Sequence, residues 1–346
     1  MNTAKNKPRV LFICKQRPAR YGASYGLLNS CRFLCNALES MGAEAKLVEV
    51  VDNNFIDREV HRYKPTHVFI EALWVVPEKF DVLIPLHPKV EWHVRLHSNT
   101  PFIANEGMAI EWIKKYDELQ KRYPKFHISP NALRMCEDLR ASLGIRTIYS
   151  PNIYQPHKSA IEFEHKTPKD KDPNVLEIGC FGAVRPMKNQ LIQAMAAMAF
   201  ANELNKTLHF HVNHSRLEQN GDNAFKNIQA LFQGTKHELV THEWVLHHEF
   251  LKIIRGMDLG LQVSFSETFN IVAADFVHLK VPIIGSSEIP WLNPLYRAKT
   301  THLDNIVNHL WLAWIGKKIN LHYVNNWGLD DWNYEARIVW KNYLRL

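Results

Sequence analysis

A chain of 346 residues is too long for one ordinary hydrophobic core, so two domains are expected. With 46% hydrophobic residues, a mean hydropathy of -0.27 and no run of about 18 apolar residues, it reads as a globular protein without a transmembrane helix. A formal charge of +7 and a pI near 9.0 favour an anionic partner, whether a nucleoside diphosphate, a nucleic acid or a membrane surface.

The start, Met1–Arg9, is polar and basic, and the apolar run Val10–Cys14 is too short for a signal-peptide core. Arg9–Cys14 (RVLFIC) reads as a buried strand. The loop Lys15–Gly26 follows, and then a helix over Leu27–Met41 that stops at Gly42. Further strands are expected at Ala45–Val51, His67–Ile70, Glu91–Leu96 and Lys125–Ser129, with a helix around Glu59–Tyr63. Alternating strands and helices indicate a parallel sheet with helices on both faces.

Tyr154–Asn174 breaks this rhythm with Pro156, Pro168, Pro173 and many charges, and reads as an interdomain linker. The pattern then restarts with strand Val175–Phe181, helix Gln190–Leu204, strand Thr207–Val212 and a helix around Ala224–Phe232. Strand Glu238–Thr241, helix His248–Arg255, strand Leu259–Ser264, helix Phe269–His278 and strand Val281–Gly285 complete it, with a last helix at Asp331–Leu344. The implied domains are residues 1–153, a linker 154–174, residues 175–325, and a C-terminal helix 326–346 able to pack back on the first domain. Ligands of such sheets bind at the carboxyl ends of the strands, here in a cleft between two doubly wound units.

Five cysteines at irregular spacing (Cys14, Cys31, Cys35, Cys136, Cys180) suit a reducing cytoplasmic compartment better than a disulfide framework. Cys31 and Cys35, one helical turn apart, read as core residues because no second cysteine pair accompanies them. No Gly-x-x-x-x-Gly-Lys-Ser/Thr loop is present, which argues against a P-loop nucleotidase. The two histidines of His242–His247 are one residue too far apart for a His-Glu-x-x-His zinc helix. His209, His211 and His214 alternate on a strand and its exit. With no acid beside them in the sequence, they read as a histidine-rich surface, and no metal or cofactor is expected.

The strongest chemical signal is the stretch Ser266-Glu267-Thr268-Phe269-Asn270-Ile271-Val272-Ala273-Ala274-Asp275. On a continuous helix Glu267 and Asp275 would stand about 12 Å apart on nearly one face. Two carboxylates so placed cannot share a proton or one metal ion, but can hold hydroxyls at the two ends of an extended ligand. Free N–H groups at Phe269–Ile271 would then face a diphosphate between them. Taken singly, Glu267 reads rather as a cap neighbour and Asp275 as a solvated helix residue.

This stretch, followed by Pro282-Ile283-Ile284-Gly285-Ser286, resembles the donor-binding signature of glycosyltransferase family 4 and related retaining enzymes of the GT-B fold. The resemblance implies an α/β protein of two Rossmann-like doubly wound domains facing a central cleft. It also implies a glycosyltransferase that uses a nucleoside diphosphate sugar, UDP-sugar first among them, with retention and without metal. Glu267 would hold the donor sugar and Asp275 the ribose, with Thr268, Phe269, Asn270 and Ile271 beside them; Asn270 stands where the family places glycine. Phe181-Gly182-Ala183-Val184-Arg185-Pro186-Met187-Lys188-Asn189 resembles the family's diphosphate loop, with Lys188 matching its lysine and Arg185 displaced by two residues. Two cations there would stabilise charge on the leaving diphosphate.

His97, at the end of the fourth strand, resembles the histidine that contacts the donor sugar, and Ser150-Pro151-Asn152 the segment leading to the linker. Gly22 and Gly26 would allow close approach of backbone to phosphate, while Arg17 and Arg20 are candidates to meet the acceptor. Typical relatives build polysaccharides or glycolipids, often in peripheral contact with a membrane. The basic loop Lys15–Arg20 and the stretch Lys114–Arg122 (KKYDELQKR) equally suit a bacteriophage-type enzyme acting on hydroxymethylated bases in DNA. A sugar-nucleotide epimerase or an inactive donor-binding protein of the same fold stays open as well.

Overall fold

The computed structural model describes residues 7–16, 25–156 and 171–346. Gly22, Arg17, Arg20 and most of the expected linker lie outside the described residues. The chain divides into two compact units, one of residues 1–157 with 333–346, the other of residues 158–332.

The first unit is built on five parallel strands: β1 (Arg9–Lys15), β2 (Glu44–Val50), β3 (His67–Glu71), β4 (Glu91–Leu96) and β5 (Phe126–Pro130), in spatial order β2-β1-β3-β4-β5. Composition follows position in the sheet. β1, buried on both faces, is almost continuously apolar, whereas the edge strand β2 (EAKLVEV) is only partly buried. Alternate residues Leu11, Ile13, Val68, Ile70, Trp92, Val94, Phe126 and Ile128 face one core with Phe80, Ile113 and Tyr116 from the helices Phe80–Leu86 and Ala109–Arg122.

The opposite face carries Phe12, Phe69 and His93. Residues 333–344 of the final helix, Val324–Leu344, pack there: the Trp340 ring lies 5.2 Å from Phe69, and the Tyr343 hydroxyl bonds His93 Nε2 at 2.7 Å. His93 Nδ1 meets Ser129 Oγ at 2.7 Å, so the ring is satisfied while neutral, and burial holds its pKa well below the ordinary value.

The second unit repeats the theme with β6 (Val175–Gly179), β7 (Thr207–Asn213), β8 (Glu238–His242), β9 (Leu259–Gln262) and β10 (Ile283–Gly285), in order β10-β9-β6-β7-β8 and parallel throughout. Both strand orders are those of doubly wound nucleotide-binding sheets, and each has a point where the direction of winding reverses: β1/β3 in the first sheet and β6/β9 in the second. Helices Phe80–Leu86, Ala109–Arg122, Leu133–Leu143 and Leu303–Lys317 were not drawn from periodicity above, and the final helix starts seven residues before the expected Asp331. Among the described residues, no helix is long and apolar enough to cross a membrane.

Candidate functional site

In the second unit, the chain leaves β6 and β9 side by side, and the two exits form one polar site. The β6 exit is held by Gln262 Nε2 donating to the Phe181 carbonyl at 2.8 Å and by Gly182 N–H donating to Asn213 Oδ1 at 2.9 Å. Gly182 has φ of 115°, a conformation that side chains resist, so glycine is needed for the turn. The loop then closes into a short 3₁₀ turn at Pro186–Lys188, and Asn189 donates to the carbonyls of Val263 and Thr300. These bonds lay Lys188 across the β9 exit, where its Nζ sits 2.5 Å from Glu267 Oε1. The two residues are 79 apart in sequence and meet because winding reverses between their strands.

Glu267 is not on a helix. The helix spans Ile271–His278, and Asn270 before it has φ of 62°. The expected eight-residue helical spacing from Glu267 to Asp275 is therefore corrected, as is the row of free N–H groups beginning at Phe269: a left-handed residue at 270 stops the helix from extending backwards. Asn270 also supplies the cap. Its Oδ1 accepts from Ala273 N–H at 2.8 Å and its Nδ2 donates to Gln262 Oε1 at 2.8 Å. Asparagine thus takes the place of glycine because both tolerate this backbone region, and it ties the helix to β9 as well. The Phe269 carbonyl accepts from Trp291 Nε1 at 2.7 Å, which fixes the preceding residue. Thr268 lies between Glu267 and this anchored pair.

Asp275 is 2% exposed and bonds His247 Nε2 at 2.8 Å, so it is neither solvated nor idle. His247 opens the helix His247–Arg255 and was overlooked in the sequence, where only its spacing to His242 was weighed. Arg185 pairs with Glu218 at 2.9 Å, and Arg216 pairs with the same carboxylate. The displaced arginine is therefore anchored at the β6 exit by an acid that sequence reading did not flag.

The first unit gathers charge at its own reversal point. Glu71 ends β3 with no exposed surface; Arg95 Nη1 approaches its Oε2 at 3.2 Å and His97 Nε2 at 2.5 Å. Burial alone would raise the Glu71 pKa, but the Arg95 guanidinium and His97 outweigh it and hold the carboxyl below its ordinary value. Burial lowers the His97 pKa, with Glu71 opposing. A neutral ring donating from Nε2 to Glu71 leaves Nδ1 to accept from Asn131 Nδ2 at 3.3 Å. Arg95 also donates to the Ser150 carbonyl at 2.9 Å and to Asn152 Oδ1 at 2.5 Å, so the Ser150-Pro151-Asn152 segment is part of the network.

Beside it lies a cavity of about 140 Å³ lined by Lys15, Glu71, Ala72, Trp74, His97 and Ser98 among others. Ala72 has φ of 72°, a strained left-handed conformation for a residue other than glycine. Glu71 and Arg95 were legible in principle, as charges at or near the carboxyl ends of two expected strands (HVFIE, EWHVRL).

The histidine reading needs a further correction. No acid neighbours His209 and His211 in sequence, but strand pairing brings Glu177 of β6 opposite His209, within 3.2 Å of its ring and 2.6 Å of His211. Burial, with His211 adjacent, lowers the His242 pKa to about 4.

The sequence matches no protein-family model, and no curated protein matches it. Solved structures do match in fold. An alpha,alpha-trehalose-phosphate synthase (UDP-forming) from Burkholderia xenovorans, in complex with glucose-6-phosphate, superposes with a TM-score of 0.69 at 12% identity, over 97% of this chain and 99% of that one. A trehalose-6-phosphate synthase studied for enzymatic glycosyltransfer with retention gives 0.65 at 14% identity, over 97% and 98%. Sucrose-phosphate synthase from Thermosynechococcus elongatus gives 0.63 at 13% identity, over 98% of each chain. At such identities the likeness shows the fold: two Rossmann-like units of the GT-B class.

Proposed function

We propose that this chain is a glycosyltransferase that moves a sugar from a nucleoside diphosphate donor to a hydroxyl acceptor. The observation that carries the reading is the Lys188–Glu267 pair at the β6/β9 reversal point, where ligands of doubly wound sheets bind. Both side chains are largely buried, at 13% and 8% exposure. A buried ion pair is weak evidence for a stabilising device, since the desolvation of two charges offsets their attraction. It is well suited to exchange partners. A donor diphosphate takes Lys188, which neutralises charge growing on the leaving group, and the released Glu267 accepts hydroxyls of the sugar. Asp275, oriented by His247, is assigned to the ribose, and Arg185 to the outer side of the diphosphate. Gly182, Phe269, Asn270 and Ile271 shape the backbone around it.

His97 is assigned to the donor sugar as a positioning group, held by Glu71 and Asn131 rather than poised as an acid or base. Retention and UDP as the leaving group are supported by the neighbours, one studied for transfer with retention and one UDP-forming. The resemblance to family 4 supports the same roles without a metal in the reaction. The acceptor is assigned to the first unit, where the cavity beside Lys15, Glu71 and His97 offers charged and polar walls.

A duplex DNA acceptor is disfavoured by one finding. In the stretch Lys114–Arg122, Lys115 pairs with Glu78 and Glu111, Lys121 with Asp117, and Arg122 with Asp81, so these cations are already matched by acids. The test is a matrix of radiolabelled nucleotide sugars against sugar phosphates, glycans, lipid acceptors and hydroxymethylated DNA. Transfer or slow hydrolysis of at least one donor is expected; a matrix without turnover or donor binding would refute the reading.

A further inference from the structure

We propose that Glu177, His209 and His211 form a binding site for a transition-metal ion of the Zn²⁺ type in the second sheet, built from side chains that the Lys188–Glu267 pair does not use. The strands dictate the grouping. Glu177 pairs with His209 across β6 and β7, and His209 with Glu238 across β7 and β8, so the three form one row. His211 follows His209 by two residues and projects from the same face. One ligand atom from each of Glu177, His209 and His211 lies within 4.8 Å of the others.

The spacing suits coordination. Four ligands at Zn–N and Zn–O distances near 2.1 Å stand roughly 3.3 Å apart. His209 Nδ1 is 3.2 Å from Glu177 Oε1, and His211 Nε2 is 2.6 Å from Oε2, so a small opening at His211 would admit the ion. The far nitrogens add a separate argument. A metal-bound imidazole needs an acceptor for its other N–H, which fixes the tautomer and raises basicity. His211 Nδ1 has such a partner in His242 Nε2 at 2.8 Å, while His209 Nε2 faces the Glu238 carboxylate at 3.6 Å, an ion-pair distance rather than a hydrogen bond. Each ligand histidine thus turns one nitrogen to Glu177 and the other to an outer partner.

A surface salt-bridge cluster would need no such division of roles. Side-chain exposures of 24% for Glu177, 28% for His209 and 10% for His211 leave the fourth position open to water. Two imidazoles and one carboxylate select Zn²⁺ and its neighbours over Mg²⁺, which prefers all-oxygen shells. The bound ion joins β6 to β7 directly and braces β8 through Glu238 and His242.

The experiment uses tag-free full-length protein stripped with a chelator. Zn²⁺ is titrated calorimetrically against a competing chelator, and Co²⁺ is followed by its visible absorption. One ion per chain is expected, with a raised thermal midpoint in Zn²⁺ and none in Mg²⁺. The double variant His209→Ala/His211→Ala should lose stoichiometric binding, and Glu238→Gln should weaken it by about 10- to 100-fold. His61→Ala, in the other unit, should change nothing. Should the double variant fail to fold by circular dichroism, the near-isosteric Glu177→Gln decides. Undiminished one-to-one binding in the ligand variants, or no stoichiometric binding in the parent protein, would overturn the proposal.

Discussion

The two sheets gather charge at the same topological point in opposite ways. At the β1/β3 reversal, Glu71 and Arg95 are fully buried and embedded in a closed network with His97, Ser150 and Asn152. At the β6/β9 reversal, Lys188 and Glu267 sit in the segments after the strands, largely but not fully buried. The first arrangement fixes geometry, and the second can trade one partner for another. On the proposed function, a frame that must not move and a counter-ion that must be released call for different burial, and these two clusters would divide those tasks between the units.

The largest expected effect tests the frame. Arg95→Ala leaves the buried Glu71 carboxylate without its guanidinium and should cost about 3–5 kcal/mol of stability. Chemical denaturation with a tryptophan signal measures it, and a loss under about 1 kcal/mol would mean that the network is not structural.

Acid should act on the same unit. Burial lowers the His67 pKa to about 4, and His93 is held well below its ordinary value. The unfolded chain takes up protons near pH 6.5 while the folded one does not, so stability falls as pH drops from about 6.5 towards 4. His67 alone contributes roughly 2–3 kcal/mol over that window. A flat stability profile between pH 7 and 5 would contradict this, and Tyr343→Phe, which removes a partner of His93, should leave the direction of the slope unchanged.

A smaller pair of effects sharpens the other side of the comparison. Asn270→Ala removes a cap and places a Cβ at φ of 62° without compensation, at about 2 kcal/mol. Asn270→Gly, which loses the same cap and Gln262 bond, should cost about 1 kcal/mol less, because glycine accepts the backbone. Equal losses in the two variants would show that the Gln262 bond, rather than backbone conformation, is what matters.

Much of this was legible from residue order. A short apolar run such as that within RVLFIC marks a buried parallel strand because such a strand needs no polar face. The helix Ala109–Arg122 was hidden by its charges, which read as a basic patch until Glu111, Asp117, Glu78 and Asp81 were placed beside them. Glu267 is a candidate from its place at the strand-to-helix turn and Lys188 from resemblance. Their contact was not legible, since it depends on how β6 and β9 lie in the sheet. Glu177 beside His209 and His211, and His247 on Asp275, escaped for the same reason: cross-strand and interhelical neighbours have no fixed sequence spacing. The helix after Glu267 starts at Ile271 rather than the expected Phe269, because the positive φ of Asn270 carries no periodic signal.

The central claim is that Lys188 leaves Glu267 to stabilise a departing diphosphate. The most direct measurement is donor turnover by Lys188→Ala, read together with its thermal midpoint. Loss of one such charge-stabilising group should lower turnover by about 10²–10³-fold. The midpoint should stay within a few degrees of the parent protein, and Lys188→Arg should recover part of the activity. Parent-level turnover in a folded Lys188→Ala protein would contradict the account.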